Sequence, residues 1–187
     1  MKVLFCVAEA TPFAKTGGLA DVAGALPAAL RRRGVDVRVF MPLYRGISRD
    51  GLEPVQRVRS VIGGTEVEGA IWLGAFPNGT PVYLLDASPL FDRPGLYGDG
   101  GRDYDDNLAR FVFFCQSALA LMHDSWQPDL VHCHDWHAAL VPAFLRMHRS
   151  PLPSLFTVHN LAHQGIFPAD QFPLTGLPAE AFTPDGV

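Results

Sequence analysis

Three clusters of polar residues in this chain have the types and spacing to act on a charged or polar ligand. The first runs from Glu9 to Asp21 and contains Lys15-Thr16-Gly17-Gly18-Leu19. Two adjacent glycines where a helix begins let the backbone come close to a ligand, and the outward N–H groups and dipole of that helix favour negative charge. Lys15 adds a cation beside them. The plainer reading of this run is a tight turn with a solvated lysine. The second cluster is His132-Cys133-His134-Asp135-Trp136-His137 and the third is His159-Asn160. A histidine and an asparagine closing a strand present two hydrogen-bonding groups to a polar ligand such as a sugar. They also fit a simple strand-end turn, because asparagine tolerates left-handed geometry.

Other chemistries fit these residues less well. The histidine cluster invites a metal site, but no acidic partner follows at a recognisable ligand spacing and zinc-ribbon cysteine spacing is absent. Alternation along a strand puts His132 and His134 on one face and Cys133 on the other. In the plain structural reading His132 packs in the sheet and Asp135 caps the next helix. The lysine precedes the glycines, so the first cluster is not a P-loop. No G-x-G-x-x-G follows the first strand, which argues against a standard NAD site. No G-x-S-x-G elbow supports Ser-His-Asp catalysis.

The elements that must position these clusters are legible from periodicity. Val3 to Ala8 reads as a buried strand. Leu19, Val22, Ala23, Leu26 and Leu30 form one face of a helix from about Gly18 to Gly34, with arginines in its last turn and Pro27 expected to kink it. Val35 to Met41 is the next strand, and strand–helix–strand in so short a span implies a parallel pair. Residues 43 to 85 are less regular, with strands near 66–75 and 81–85 and a turn at Asn78-Gly79. Residues 86 to 103 form a long loop of the kind that is often functional. A helix carrying Leu108, Phe111, Val112, Cys115, Ala118, Leu119 and Met122 follows. Then come a strand over 129–134, a helical stripe from Trp136 to Met147 that contains Pro142, and a strand over 155–158. Beyond Gln164 prolines punctuate a segment with no clear element. The expected fold is α/β: a Rossmann-like, doubly wound, mainly parallel sheet over residues 1–163 with an irregular extension over 164–187. All three polar clusters then fall at the carboxyl ends of strands, where ligands bind in such sheets.

Composition narrows the class. The chain has 187 residues, 48% of them hydrophobic and 18% charged, which suits a globular domain with a sizeable core. A formal charge of −4 argues against nucleic acid as a partner. The three cysteines, Cys6, Cys115 and Cys133, each lie in apolar runs and read as buried thiols in a reducing compartment, without a disulfide framework. Glu9 directly follows the first apolar run, unlike a signal peptide, and the longest apolar stretch is too short to span a bilayer. The expected setting is cytoplasmic, with no membrane partner.

Taken together, Ala8-Glu9-Ala10, Pro12, Lys15 to Val22, Leu26-Pro27, Met41-Pro42 and Tyr44 resemble the N-terminus of bacterial glycogen synthases and plant starch synthases. Gly95-Leu96-Tyr97, His132 to His137, Thr157-Val158-His159-Asn160 and Gln164-Gly165 continue the resemblance in order and spacing across essentially the whole chain. It implies the GT-B architecture and retaining transfer of glucose from ADP-glucose to the non-reducing end of an α-1,4-glucan, with no cofactor or metal. By this resemblance Lys15 and Gly18 contact the phosphates or sugar of ADP-glucose, and Asp21 and Asn160 hold the donor sugar. His159 lies beside the anomeric centre, Asp135 and Tyr97 line the cleft, and Glu9 touches the glucan acceptor. The chain is well under half of such an enzyme and lacks the C-terminal nucleotide-binding domain, so on its own it is expected to be nearly inactive, as if cut before the interdomain linker. Two other readings stay open: a non-catalytic glucan- or sugar-nucleotide-binding module, and a metal-dependent hydrolase built on the histidines.

Overall fold

The computed structural model describes residues 1–123 and 125–183. Strand β1 (Lys2–Cys6) is buried on both faces from Val3 onward, as a strand inside a parallel sheet must be. Helix α1 (Gly18–Arg32) follows, and Gly34 takes the left-handed conformation (φ +84°) just beyond its end. Leu19, Ala20, Ala23 and Pro27 are its buried residues. Strand β2 (Asp36–Pro42) then pairs parallel with β1, Val3 opposite Val37 and Phe5 opposite Val39.

Next come β3 (Glu53–Ile62), β4 (Thr65–Ala75) and β5 (Pro81–Asp86). β3 and β4 form an antiparallel hairpin whose two-residue loop, Gly63-Gly64, has positive φ at both positions, as a type I′ turn requires. β3 is absent from the expectation above. Its apolar residues Val55, Val58 and Val61 recur every third position and the ladder slips at a bulge between Pro54 and Gln56, so no period of two shows in the sequence.

The long loop is less empty than its composition implies. It holds a single helical turn, α2 (Ser88–Phe91), and a small hairpin of β6 (Gly98–Asp99) with β7 (Arg102–Asp103). Helix α3 (Asn107–Ala120) follows, buried over most of its length and packed on α4 (Leu140–Met147). Between them lies β8 (Leu130–His134), and β9 (Ser154–Thr157) closes the sheet. The helix read from Trp136 onward is split: a 3-10 turn at Trp136–Ala138 precedes α4. Residues 169–175 and 179–181 are further 3-10 turns, and Gln116 on α3 donates to the Thr175 carbonyl at 3.4 Å.

The sheet order is β3-β4-β5-β2-β1-β8-β9. Every pair from β5 to β9 is parallel, and the β3–β4–β5 end is antiparallel. The path from β1 to β2 moves towards one edge, whereas β8 to β9 moves towards the other. With right-handed crossovers, α1 and α4 must therefore cover opposite faces. The fold is a doubly wound, mostly parallel α/β sheet. Its direction of winding reverses between β1 and β8, which opens a crevice at their carboxyl ends. No helix among the described residues is long and apolar enough to cross a membrane.

Candidate functional site

A cavity of about 750 Å³ lies at that reversal point. Six of the eight residues singled out from the sequence line it: Glu9, Gly18, Tyr97, Asp135, His159 and Asn160. They come from the loop after β1, the start of α1, the long loop, the ends of β8 and β9 and the turn that follows. Segments separated by most of the chain meet there because the parallel sheet aligns its strand ends.

Glu9 is buried, and its Oε2 accepts both the backbone N–H (2.6 Å) and the hydroxyl (2.7 Å) of Thr16. This carboxylate holds the glycine loop against the cavity floor. No side chain caps α1, and a Cβ built on Gly18 would meet nothing within 4 Å, so the helix entrance is open. Lys15 and Asp21 do not line the cavity. Lys15 Nζ binds both Asp21 oxygens at 2.7 and 2.8 Å, with both side chains about half exposed. The ammonium lowers the pKa of Asp21 below the usual carboxylate range. The lysine, in the loop before α1, is thus held by the helix's first turn, near the anion-favouring helix entrance.

On the other side, Asp135 does not cap a helix as the plain reading expected. Its backbone is at φ +54°, ψ −178°, a region almost reserved for glycine, and its Oδ1 accepts the backbone N–H of His159 at 2.7 Å. The same histidine is held through its ring, with His134 Nδ1 2.9 Å from His159 Nε2. His132 packs in the sheet as expected, edge-on to Phe5 and 2.8 Å from the Thr157 hydroxyl. Burial, with His132 and His159 adding to it, pushes the His134 pKa down to about 2, so this ring is neutral. These pairings use the histidines that suggested a metal; among the described residues no three His, Cys, Asp or Glu side chains are grouped to hold one.

The third wall contains Tyr97, as the sequence implied, but its stacking and its support were not legible. Tyr97 stacks on His137 (ring centroids 4.5 Å apart), which stacks on Trp136 (4.0 Å). Burial pushes the His137 pKa down to about 3, with His163 and Arg110 adding to it, and raises that of Tyr97 well above the ordinary phenol value. The Tyr97 hydroxyl is buried without a hydrogen-bond partner among the described residues. Arg110 positions this wall. Fully buried, it donates to the Leu90 carbonyl (2.7 Å), the Leu96 carbonyl (2.9 Å) and Asn107 Oδ1 (2.6 Å), while Asn107 Nδ2 donates to the Tyr97 carbonyl at 2.8 Å. The only linear trace of this device is an arginine inside an apolar helix.

The arrangement offers an open helix entrance, two carboxylates already engaged with backbone N–H groups, the neutral His137 imidazole and an aromatic wall. It can hold a polyhydroxylated ring through mixed polar and apolar contacts.

Comparison with known proteins agrees with this fold. The family described as the starch synthase catalytic domain matches residues 2–187. Glycogen synthase of Granulibacter bethesdensis is 47% identical over 100% of the chain, and glycogen synthase 2 of Geobacter sulfurreducens is 45% identical over 98%. The chain spans about 40% of the length of each. The catalytic domain of starch synthase IV from Arabidopsis thaliana, solved bound to ADP and acarbose, superposes with a TM-score of 0.85 at 33% identity over 99% of this chain and 39% of that one. Sucrose-phosphate synthase from Thermosynechococcus elongatus, at 16% identity over 86% of this chain and 33% of its own and a TM-score of 0.50, shares the fold alone. With the strand-end clusters, the sheet order and the match from residue 2 to 187 in agreement, the chain belongs to the starch synthase catalytic domain family.

Proposed function

We propose that this chain is the N-terminal, acceptor-side half of a GT-B glycogen synthase that transfers glucose from ADP-glucose to the non-reducing end of an α-1,4-glucan with retention at the anomeric carbon. The observation that carries this reading is the cavity at the winding reversal, where Glu9, Gly18, Tyr97, Asp135, His159 and Asn160 converge. ADP and acarbose, bound by the Arabidopsis relative, are a nucleoside diphosphate and a carbohydrate, the two kinds of ligand this activity needs.

Breaking the glucosyl–phosphate bond leaves negative charge on the diphosphate and positive character on the sugar ring. The α1 entrance and Lys15 stabilise the first, once Lys15 turns from Asp21 to the phosphate. His159 and Asn160 orient the sugar near its reacting carbon, and Asp135 fixes the His159 backbone. Asp21, released from Lys15, contributes to the donor-sugar pocket. Tyr97, Trp136 and Glu9 border the acceptor. Protein groups neutralise the diphosphate, so no metal is required. Residues 1–163 form the Rossmann-like unit and 164–187 its extension, of which 184–187 lie outside the described residues, and a C-terminal nucleotide-binding domain supplies the opposite wall. The working compartment is the cytoplasm.

A chimaera in which residues 1–187 replace the matching segment of the Granulibacter glycogen synthase tests this reading. It should transfer labelled glucose from ADP-glucose to glycogen, with UDP-glucose compared in parallel, while the 187-residue chain alone should be nearly inert. A folded chimaera that binds glucan but transfers nothing would favour a non-catalytic binding module.

A further inference from the structure

His134 is wholly inaccessible to solvent, with its ring 3.9 Å from that of Phe5 and 4.0 Å from that of His132. Its Nδ1 lies 2.9 Å from His159 Nε2, and its Nε2 has no hydrogen-bond partner among the described residues. The Nε2 of the neighbouring His132 is engaged elsewhere, by the Thr157 hydroxyl.

One proton lies between the two rings, and two arrangements are possible. If His159 Nε2 carried it, His134 Nδ1 would be the acceptor and the neutral His134 ring would hold its hydrogen on Nε2, a buried N–H with nothing to receive it. If His134 Nδ1 carries the proton, the unpartnered atom is instead a bare ring nitrogen. Orphaned buried donors are the rarer and costlier of the two. Burial opposes a third arrangement in which both His134 nitrogens are protonated, since it holds the His134 pKa near 2.

We propose that His134 is a positioning residue that locks His159 in the Nδ1–H tautomer, so that His159 meets its ligand as a hydrogen-bond donor and not as a proton acceptor. The lock has two points: Asp135 Oδ1 grips the His159 backbone N–H at 2.7 Å and His134 grips the ring. Resting on the reading that His159 faces the transferred sugar, it assigns this ring a fixed donor towards a hydroxyl or phosphate oxygen and removes it from any role as general base.

The test is the protonation state of each ring nitrogen in the 187-residue chain, read by long-range 15N–1H correlation with 15N-labelled histidine. The His134→Asn and His159→Asn variants assign the signals. The expected spectrum shows His159 with a protonated Nδ1 and a bare Nε2, and His134 with a protonated Nδ1. A protonated His159 Nε2, or a tautomeric average at His159, overturns the proposal. In His134→Asn, where the side-chain amide can still donate, the His159 pattern should persist. In His134→Leu it should give way to a mixture, and an unchanged pattern there would show that His134 is not the lock. Should the leucine variant fail to fold, the unsubstituted spectrum decides. Because this readout needs no turnover, an absence of glucosyl transfer with the tautomer intact would count against the proposed function and not against the lock.

Discussion

Asp135 Oδ1 accepts the backbone N–H of His159 at 2.7 Å from a residue whose own backbone stands at φ +54°, ψ −178°. A non-glycine residue in that region costs on the order of 1–3 kcal/mol, and the bond to His159 helps to offset it. Asp135→Ala keeps the strained backbone and loses the acceptor. It should lower unfolding free energy by about 1–3 kcal/mol, whereas Asp135→Asn, which can still accept through its amide oxygen, should lose about half as much or less. Urea denaturation of the three chains at pH 7 measures the difference.

Arg110 ties the long loop to α3 through two loop carbonyls and Asn107. Arg110→Met leaves three buried acceptors without their donor and should cost about 3 kcal/mol or more. Arg110→Lys retains the charge but cannot span the three partners with one planar fork, so it should recover only part of the loss. Equilibrium unfolding midpoints should therefore rank wild type above lysine above methionine.

The buried neutral histidines make stability depend on pH. His134 and His137 titrate near 2 and 3 when folded, against about 6.5 when unfolded. Between those values the unfolded chain binds more protons, so stability rises with pH. Their contribution is fully present above about pH 6.5 and is lost as pH falls towards the folded values, by up to about 1.4 kcal/mol per pH unit for each ring. Unfolding free energies at pH 7.5, 6.5 and 5.5 should fall progressively, and the slope should be shallower in His137→Gln.

Lys15 and Asp21 form an exposed ion pair, the kind that contributes little to stability. Lys15→Ala should leave the thermal midpoint of the chain nearly unchanged. In the chimaera the same substitution should cut kcat/KM for ADP-glucose by about tenfold or more, as expected for loss of a charge-assisted phosphate contact. An unaltered kcat/KM would assign the lysine to the surface alone.

The sequence was most informative where local pattern decides structure. The stripe Leu19, Ala23, Leu26 and Leu30 reads directly as α1, and the buried run from Val3 reads as β1, because periodicity and burial act on neighbouring residues. The convergence of Glu9, Asp135 and His159 was legible one step later, since a parallel sheet gathers strand ends on one side. What escaped was set by contacts across the fold. Asp135 reaches a backbone N–H 24 residues away instead of capping its own helix; more locally, Lys15 is taken by Asp21, six residues further on. Arg110 looks like an exposed interruption of an apolar helix until the Leu90 and Leu96 carbonyls surround it. β3 hid because its valines recur at a helical interval and a bulge shifts its register.

His159 is the residue on which glucose transfer should depend most directly. In the chimaera with the Granulibacter C-terminal portion, initial rates of glucose transfer from ADP-glucose to glycogen should fall by about a hundredfold or more in His159→Ala, with the folded state and glucan binding retained, because a preorganised group beside the reacting carbon contributes on that scale. Transfer by His159→Ala at the unsubstituted rate would contradict it.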